Sequence, residues 1–495
     1  MSLAAVGSPS GAAFVPGLAH LLRMTAIQAG LSTVLSLAAG VALAWALDRL
    51  AFPGRTLVVG LFSASLVLPA IVVASGLLSV WGRSGWISRG LDALTGHGLG
   101  SAIFGLGGIL AAHVILNGAF AARVLLTRIE GIPATKLKLG QGLGLDPATR
   151  FAVLDWPVIR DTLPGLAATI FLLCFTSFAI VLVLGGGPAN QTFEVAIYSA
   201  VRLDFDLGGA VRLALVQLAV CAAIILPAAG LSPSTALAGV SLRQRWHEGR
   251  AATTLQGLVL ALGLFGFVLP LAGVAADGAG GLPHLLVQSA FWRAAATSFV
   301  IGSLSAALTL ALALVLAMAR ANAQGRTVRA LLSLPVFTYL AVPAVVLSLG
   351  FFLLARTLGI DTGGVAPYVL VIANALLALP FAVATLGPPI AAIDKRYARL
   401  GRSLGLSGSR QWRDVEWPLL RSEVGVVVAL GFCFSLGDLG VISLFGTQDF
   451  STLPWLMLRA LGAYRSNDAA AIAFILLCVS LGAFTIIPRL VAGKR

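Results

Sequence analysis

Four polar side chains stand inside otherwise apolar runs of this chain: His113, Asn117, Asn374 and Asp438. A charge carried into hydrocarbon costs on the order of 3 kcal/mol by insertion scales, so each such residue needs a partner or a task. Asp438 sits midway through SLGDLGV. His113 lies one helical turn before Asn117, on the same face. Asn117 and Asn374 occupy matching places in two halves of the chain. Two uses are open for these groups. They contact a solute in transit, or they hold helices together, as asparagines in membranes often do; Asp438 in particular suits an interface in a broken helix.

Other chemistries lack their residues. No Ser/His pair, His-x-x-x-His pair or carboxylate pair falls at working spacing within the apolar runs, which argues against an intramembrane enzyme. No Gly-x-x-x-x-Gly-Lys loop occurs, so a phosphate-cradling nucleotide site of that type is absent. Cys174, Cys221, Cys433 and Cys478 all lie in apolar runs and read as small buried side chains, with neither metal spacing nor a disulfide framework. Catalytic, cofactor and metal sites are therefore not expected.

A second set of residues is marked by repetition. Residues 138–160 read KLGQGLGLDPATRFAVLDWPVIR, and residues 399–421 read RLGRSLGLSGSRQWRDVEWPLLR. They align without a gap at an offset of 261 residues (399 minus 138). Leu143/Leu404, Gly144/Gly405, Trp156/Trp417 and Pro157/Pro418 are among the identities. Each copy is basic and polar between apolar runs. The pattern predicts a short helix, a turn at the second glycine, a second short helix and re-entry into the membrane. Glycine permits a sharp turn that a side chain resists, and proline suits a helix start because it lacks the donor that would be orphaned there. Asp438 falls at the same offset as Ser177, so the two halves differ at that point.

The elements that position these residues follow from composition. The 495 residues are 58% hydrophobic and only 11% charged, well below the roughly 25% that covers a soluble surface. Continuous apolar runs of about 20 residues cross hydrocarbon as helices, whereas a barrel would alternate. The fold class expected is all-α, a polytopic transmembrane helix bundle. About eleven spans are predicted, near 25–47, 56–80, 103–126, 162–184, 208–230, 254–276, 293–318, 331–355, 366–386, 424–445 and 469–488. The first is too long for a signal peptide and has no basic stretch before it, so it is expected to be retained.

The net charge of +14 does not mark a nucleic-acid partner, because Lys and Arg sit in short loops between spans. With the N-terminus outside, 24 of the 33 Lys and Arg fall on the inner side and nine outside. The positive-inside rule favours that orientation, with the C-terminus and both repeated loops in the cytoplasm. The predicted organisation is an N-terminal tail (1–20), a first repeat (21–230, loop 127–160), a connecting loop and linking span (231–290), a second repeat (291–488, loop 390–421) and a C-terminal tail (489–495). The connecting loop carries the basic patch SLRQRWHEGR. The outward segments 185–206 and 446–468 match by position and are rich in Gly, Pro and aromatic residues.

The repeated loop resembles that of the permeases of type I ATP-binding-cassette importers. That family's loop has Glu-Ala-Ala, three residues, Gly, and a Leu-Pro thirteen residues beyond the glycine. Gly144 to Pro157 and Gly405 to Pro418 keep this spacing. Lys138 and Arg399 stand where the glutamate would be, and Leu-Gly replaces Ala-Ala, so the glycine turn and the proline are what carry over. The resemblance implies that Leu143, Gly144, Trp156 and Pro157, with Leu404, Gly405, Trp417 and Pro418, couple to two copies of a cytoplasmic ATPase subunit, and that a periplasmic or extracellular binding protein delivers a small molecule. Two permease copies in one chain narrow the likeness to the iron and thiamine branch. CFTSFAIVLVLGGGPANQTFEVAIY, SLGDLGVISLFGTQDFSTLP, LGAYRSNDAA and VWGRSGWIS are similar to the permeases of thiamine and thiamine pyrophosphate. Those permeases have a further span before the equivalent of Thr25. The expected location is a bacterial inner membrane. A cationic thiazolium would favour a carboxylate such as Asp438, and a pyrimidine could hydrogen-bond to asparagine. Ferric iron or another small solute is the alternative cargo. An ion-driven carrier, which also uses repeats, would need more intramembrane carboxylates than Asp438.

Overall fold

The computed structural model describes residues 17–228, 249–334, 336, 339, 342–406 and 408–493. Most of the basic patch SLRQRWHEGR and residues 1–16 and 494–495 of the predicted tails lie outside the described residues, while 18–20 belong to α1 and 489–492 to α22. Every regular element among the described residues is helical, and ten helical runs are long and apolar enough to cross a membrane. In chain order the α-helices are α1 (Leu18–Arg49), α2 (Arg55–Ala64), α3 (Ala70–Trp81), α4 (Trp86–Thr95), α5 (Leu106–His113), α6 (Ala119–Glu130), α7 (Ala134–Gly142), α8 (Pro147–Arg150), α9 (Trp156–Phe175), α10 (Ala179–Leu184) and α11 (Phe193–Arg202). They continue as α12 (Leu207–Ala228), α13 (Arg250–Leu286), α14 (Ser289–Asn322), α15 (Arg326–Leu331), α16 (Ala344–Thr357), α17 (Thr362–Ser403), α18 (Gly408–Gln411), α19 (Trp417–Leu436), α20 (Gly440–Phe445), α21 (Leu453–Gly462) and α22 (Ser466–Ala492).

Four predicted spans are not single helices. The run 56–80 breaks between α2 and α3, where Pro69 takes an extended ψ of 129° ahead of α3. In the run 331–355, Pro343 takes a ψ of 149° ahead of α16. Pro69 and Pro343 thus stand as the N-cap residues of α3 and α16, each in extended backbone that cannot belong to a preceding helix. The run 162–184 parts at Thr176–Phe178 into α9 and α10. The run 424–445 parts at Gly437–Leu439 into α19 and α20.

The described residues form two compact units. The first comprises those of Ala19–Thr192 and Pro227–Ala276, and the second those of Met1–Leu18, Phe193–Leu226 and Asp277–Arg495. Packing units thus exchange segments across the sequence repeat: α11 and α12 pack with the second repeat, and most of α13 packs with the first.

Small residues set the helix spacing, as expected where lipid gives no hydrophobic drive between helices. In the first unit a Cβ on Gly40 would stand 2.4 Å from the Ala121 Cβ, and one on Gly76 would stand 2.4 Å from the Pro270 carbonyl. Phe62 and Phe267 meet edge to face at 5.5 Å. These contacts seat α1 on α6 and α13 on α3. In the second unit Ala313, Ala317, Leu379, Val383, Leu420 and Val427 share a buried core among α14, α17 and α19. Cys174, Cys221 and Cys433 are buried as expected. Cys478 is exposed, because α22 buries only one of its faces.

Candidate functional site: the repeated loop and the broken helices

Both repeated loops end their first helix in the same way. Gly144 has φ 66° and Gly405 φ 63°, the left-handed region. Leu145 N–H donates to Gly140 O at 3.2 Å, and Leu406 N–H to Gly401 O at 2.9 Å. These six-to-one bonds close a Schellman cap, which uses an αL residue to satisfy carbonyls a helix end leaves orphaned. The earlier glycines supply the accepting carbonyls.

The two loops differ in how they are entered. Gly131-Ile132-Pro133 separates α6 from α7 in the first repeat. Ala392-Ile393-Asp394 stands at the same offset in the second, and α17 runs unbroken from Thr362 to Ser403. The expected free-standing short helix therefore exists only in the first repeat, where Pro133 takes an extended ψ of 134° and caps α7.

The expected second short helix also does not stand apart. α8 passes through a π-turn (Phe151–Asp155) into α9, and α18 through a π-turn (Trp412–Glu416) into α19. Each π-turn brings aromatic rings five residues apart together, Phe151 with Trp156 and Trp412 with Trp417, both at 6.3 Å. Pro157 and Pro418 sit in the first turn of α9 and α19. Asp146 caps α8, accepting from Ala148 N at 3.1 Å and Thr149 N at 3.2 Å. The Thr149 hydroxyl and these amides hold its carboxyl below the usual carboxylate range. The cap's contribution is thus present above that range and lost as pH falls through the depressed value.

Apolar side chains project from both loops. Leu143 is 77% exposed and Leu404 64%. Leu139 and Leu400, one turn earlier, are exposed on the same helix faces. Trp156 faces an apolar groove of about 750 Å³, lined also by Val41, Trp45, Phe151 and Leu255.

A buried ion cluster fastens the first loop. Arg49 donates to both Asp48 and Asp155, and Arg150 lies 3.8 Å from Asp48. Three of these four side chains are at most 4% exposed, and Asp48 is 11% exposed. Sequence reasoning placed the two arginines among inward charges but missed the carboxylates. The residues closing the cluster lie 106 positions apart, and no local spacing reveals that.

The polar residues of the spans fall into matching pairs. Asn117 Nδ2 donates to Cys174 Sγ at 3.2 Å, and Asn374 Nδ2 to Ser435 Oγ at 3.0 Å. Both bonds reach the helix turn before a break. Asp438 accepts from Val441 N at 3.0 Å and Ile442 N at 3.3 Å, capping α20. His113 Nδ1 lies 2.9 Å from Ser32 Oγ, a Ser/His pair that the sequence spacing did not offer because folding joins residues 81 positions apart. His113, Asn117 and the first loop belong to the first unit; Asn374, Asp438 and the second loop belong to the second.

Asp438→Ala is expected to cost about 1 kcal/mol through the lost cap and to reduce uptake, with membrane abundance retained. Asp438→Ser, which restores a capping oxygen without charge, separates the two roles. Uptake recovered by serine assigns Asp438 to the cap, and uptake still lost with serine assigns its charge to the solute pathway.

Sequence reading also missed contacts on the segments 185–206 and 446–468. Glu194 is fully buried and accepts from Gln217 Nε2 at 2.9 Å and from Val345 N at 3.3 Å. Arg202 donates to Gly446 O at 2.5 Å and stacks on Trp455 at 5.4 Å. Arg202 thereby joins the two segments that matched by position.

No family model matches the chain. It is 38% identical to the thiamine transport system permease protein ThiP of Brucella melitensis biotype 1 over 494 residues, covering 99% of this chain and 91% of that protein. It is 37% identical to ThiP of Escherichia coli K12 over 479 residues, covering 95% of this chain and 89% of that protein. A shorter likeness, 29% over 176 residues, relates 36% of the chain to 76% of the molybdenum transport system permease protein ModB of Azotobacter vinelandii. High identity over nearly the whole of both chains, on a scaffold of apolar helices, leaves one assignment: the chain belongs to the family of thiamine transport system permease proteins, multi-pass membrane permeases that are not themselves enzymes.

Proposed function

We propose that this chain forms the membrane pathway of an ATP-driven, binding-protein-dependent importer that carries thiamine or thiamine pyrophosphate by alternating access. The observation that carries the reading is the duplicated loop, with one Schellman cap and one exposed leucine pair per repeat. Two like handles on one chain suit two copies of one ATPase subunit. In this mechanism closure of the ATPase subunits on ATP draws the loops together. The π-turns and proline-started helices pass that motion to α9 and α19, and the breaks beyond Phe175 and Leu436 let the spans part alternately. A binding protein engages the outward segments 185–206 and 446–468. The N-terminus lies outside and the C-terminus inside. Residues 21–230 and 291–488 act as the two permease repeats.

The test is uptake of labelled thiamine, thiamine pyrophosphate and ferric iron in cells with this gene deleted and then restored. The expected result is loss and recovery of thiamine or thiamine pyrophosphate uptake alone, abolished by ATP depletion. Loss of iron uptake with thiamine uptake intact overturns the cargo. Uptake that survives ATP depletion and collapses with the proton gradient overturns the mechanism.

A further inference from the structure

Five polar side chains of the first unit converge beside the break between α9 and α10. Gln28 and Ser32 lie one turn apart on α1, His113 and Asn117 one turn apart at the end of α5 and in the π-turn after it, and Cys174 near the end of α9. Gln28 Nε2 donates to Cys174 O at 2.6 Å, and the Ser32–His113 and Asn117–Cys174 contacts complete the group. Gln28, Ser32 and Cys174 have no exposed surface, and His113 is 2% exposed. Two atoms in this cluster have no hydrogen-bond partner, Gln28 Oε1 and His113 Nε2. Buried polar atoms are rarely left so, and each exception calls for an explanation.

The second repeat shows which of these groups the fold itself needs. Thr25, Ser32 and Ser36 of α1 recur as Ser298, Ser305 and Thr309 of α14, at an offset of 273 residues (298 minus 25). Asn117 recurs as Asn374 and Cys174 as Ser435, with the Asn bond kept. On the same offsets Gln28 corresponds to Ile301 and His113 to Leu370, both buried. The residues bearing the unpartnered atoms are thus the ones that the other repeat makes aliphatic. Helix packing in this architecture keeps the serine and asparagine positions polar and does not require polarity at these two.

We propose that Gln28 and His113 form a recognition step for the amidine edge of an aminopyrimidine, an inference that rests on the thiamine reading above. Such an edge presents an exocyclic N–H donor beside a ring-nitrogen acceptor. Gln28 Oε1 accepts from the amine. His113, in the tautomer whose Nδ1 accepts the Ser32 hydroxyl proton, donates from Nε2 to the ring nitrogen. Parting of α9 from α10, two residues beyond Cys174, opens the cluster to cargo. An analogue with an oxo group in place of the amine reverses both hydrogen-bonding roles and leaves both protein groups unpaired.

The experiment uses the complete transporter in proteoliposomes, with its binding protein saturated by each cargo in turn. The cargoes are thiamine and oxythiamine, its 4-oxo analogue. Gln28→Ile and His113→Leu install the residues of the second repeat. The wild type is expected to favour thiamine, and each variant to reduce the thiamine-to-oxythiamine rate ratio by about tenfold, the worth of one hydrogen bond. A merely structural role, or a site holding only water, lowers both rates alike or neither, and an unchanged ratio overturns the proposal. Wild-type vesicles that carry neither compound overturn the thiamine reading, and the recognition step falls with it.

Discussion

Asp155→Ala is expected to be among the most destabilising single substitutions in the chain. The Asp48, Arg49, Arg150 and Asp155 cluster balances two carboxylates against two guanidinium groups, all largely shielded from water. Removing one partner of a buried pair leaves an uncompensated charge and costs about 3–5 kcal/mol. Because Asp155 immediately precedes Trp156, the loss also frees the join between the π-turn and α9. Thermal unfolding of the detergent-solubilised protein should show a clear drop in melting temperature, and transport should fall with it. The decisive comparison is Arg49→Leu combined with Asp155→Leu. That variant removes one charge of each sign and leaves Asp48 and Arg150 at 3.8 Å. It is expected to recover most of the lost stability, since apolar replacement of a whole buried pair is often neutral. A double variant no more stable than Asp155→Ala would refute charge compensation as the cause.

Gly405→Trp is expected to reduce both ATPase-subunit association and transport by at least about tenfold while the protein still reaches the membrane. At φ 63° a residue with a Cβ carries roughly 1–2 kcal/mol of strain. A Cβ placed there meets no atom within 4 Å. The added indole therefore projects from the loop instead of clashing inside the protein, and its effect falls on whatever docks there. Gly405→Ala carries the same backbone strain without the bulk and should retain most association. Co-purification of the ATPase subunit with each variant, together with uptake, reads the difference. Normal association and uptake in Gly405→Trp would remove the docking assignment. Gly144, with φ 66°, should respond in the same way.

The turns at Gly144 and Gly405 were legible because a Schellman cap is local: backbone conformation, one glycine and a carbonyl five residues back suffice. The breaks at Pro69 and Pro343 are equally local, yet the apolar runs pass through them, because mean hydropathy does not register a single proline. α17 runs on into its loop helix through Asp394, where the first repeat has Pro133 and a break. The identities shared by the two loops overshadowed that difference.

What the chain settled by itself is its class and its twofold plan. Composition forces helices into lipid, where no other open structure satisfies the backbone, and a gap-free repeat at a constant offset needs no coordinates to be seen. Tertiary structure alone decided which polar group meets which. Asp155 finds Arg49 across 106 residues, His113 finds Ser32 across 81, and Glu194 finds the Val345 amide across 151. In the apolar interior a buried charge or amide takes whichever partner the packing of helices brings within about 3 Å. That packing is set by small residues such as Gly40 and Gly76 acting between helices, so the pairings cannot be read along any one of them.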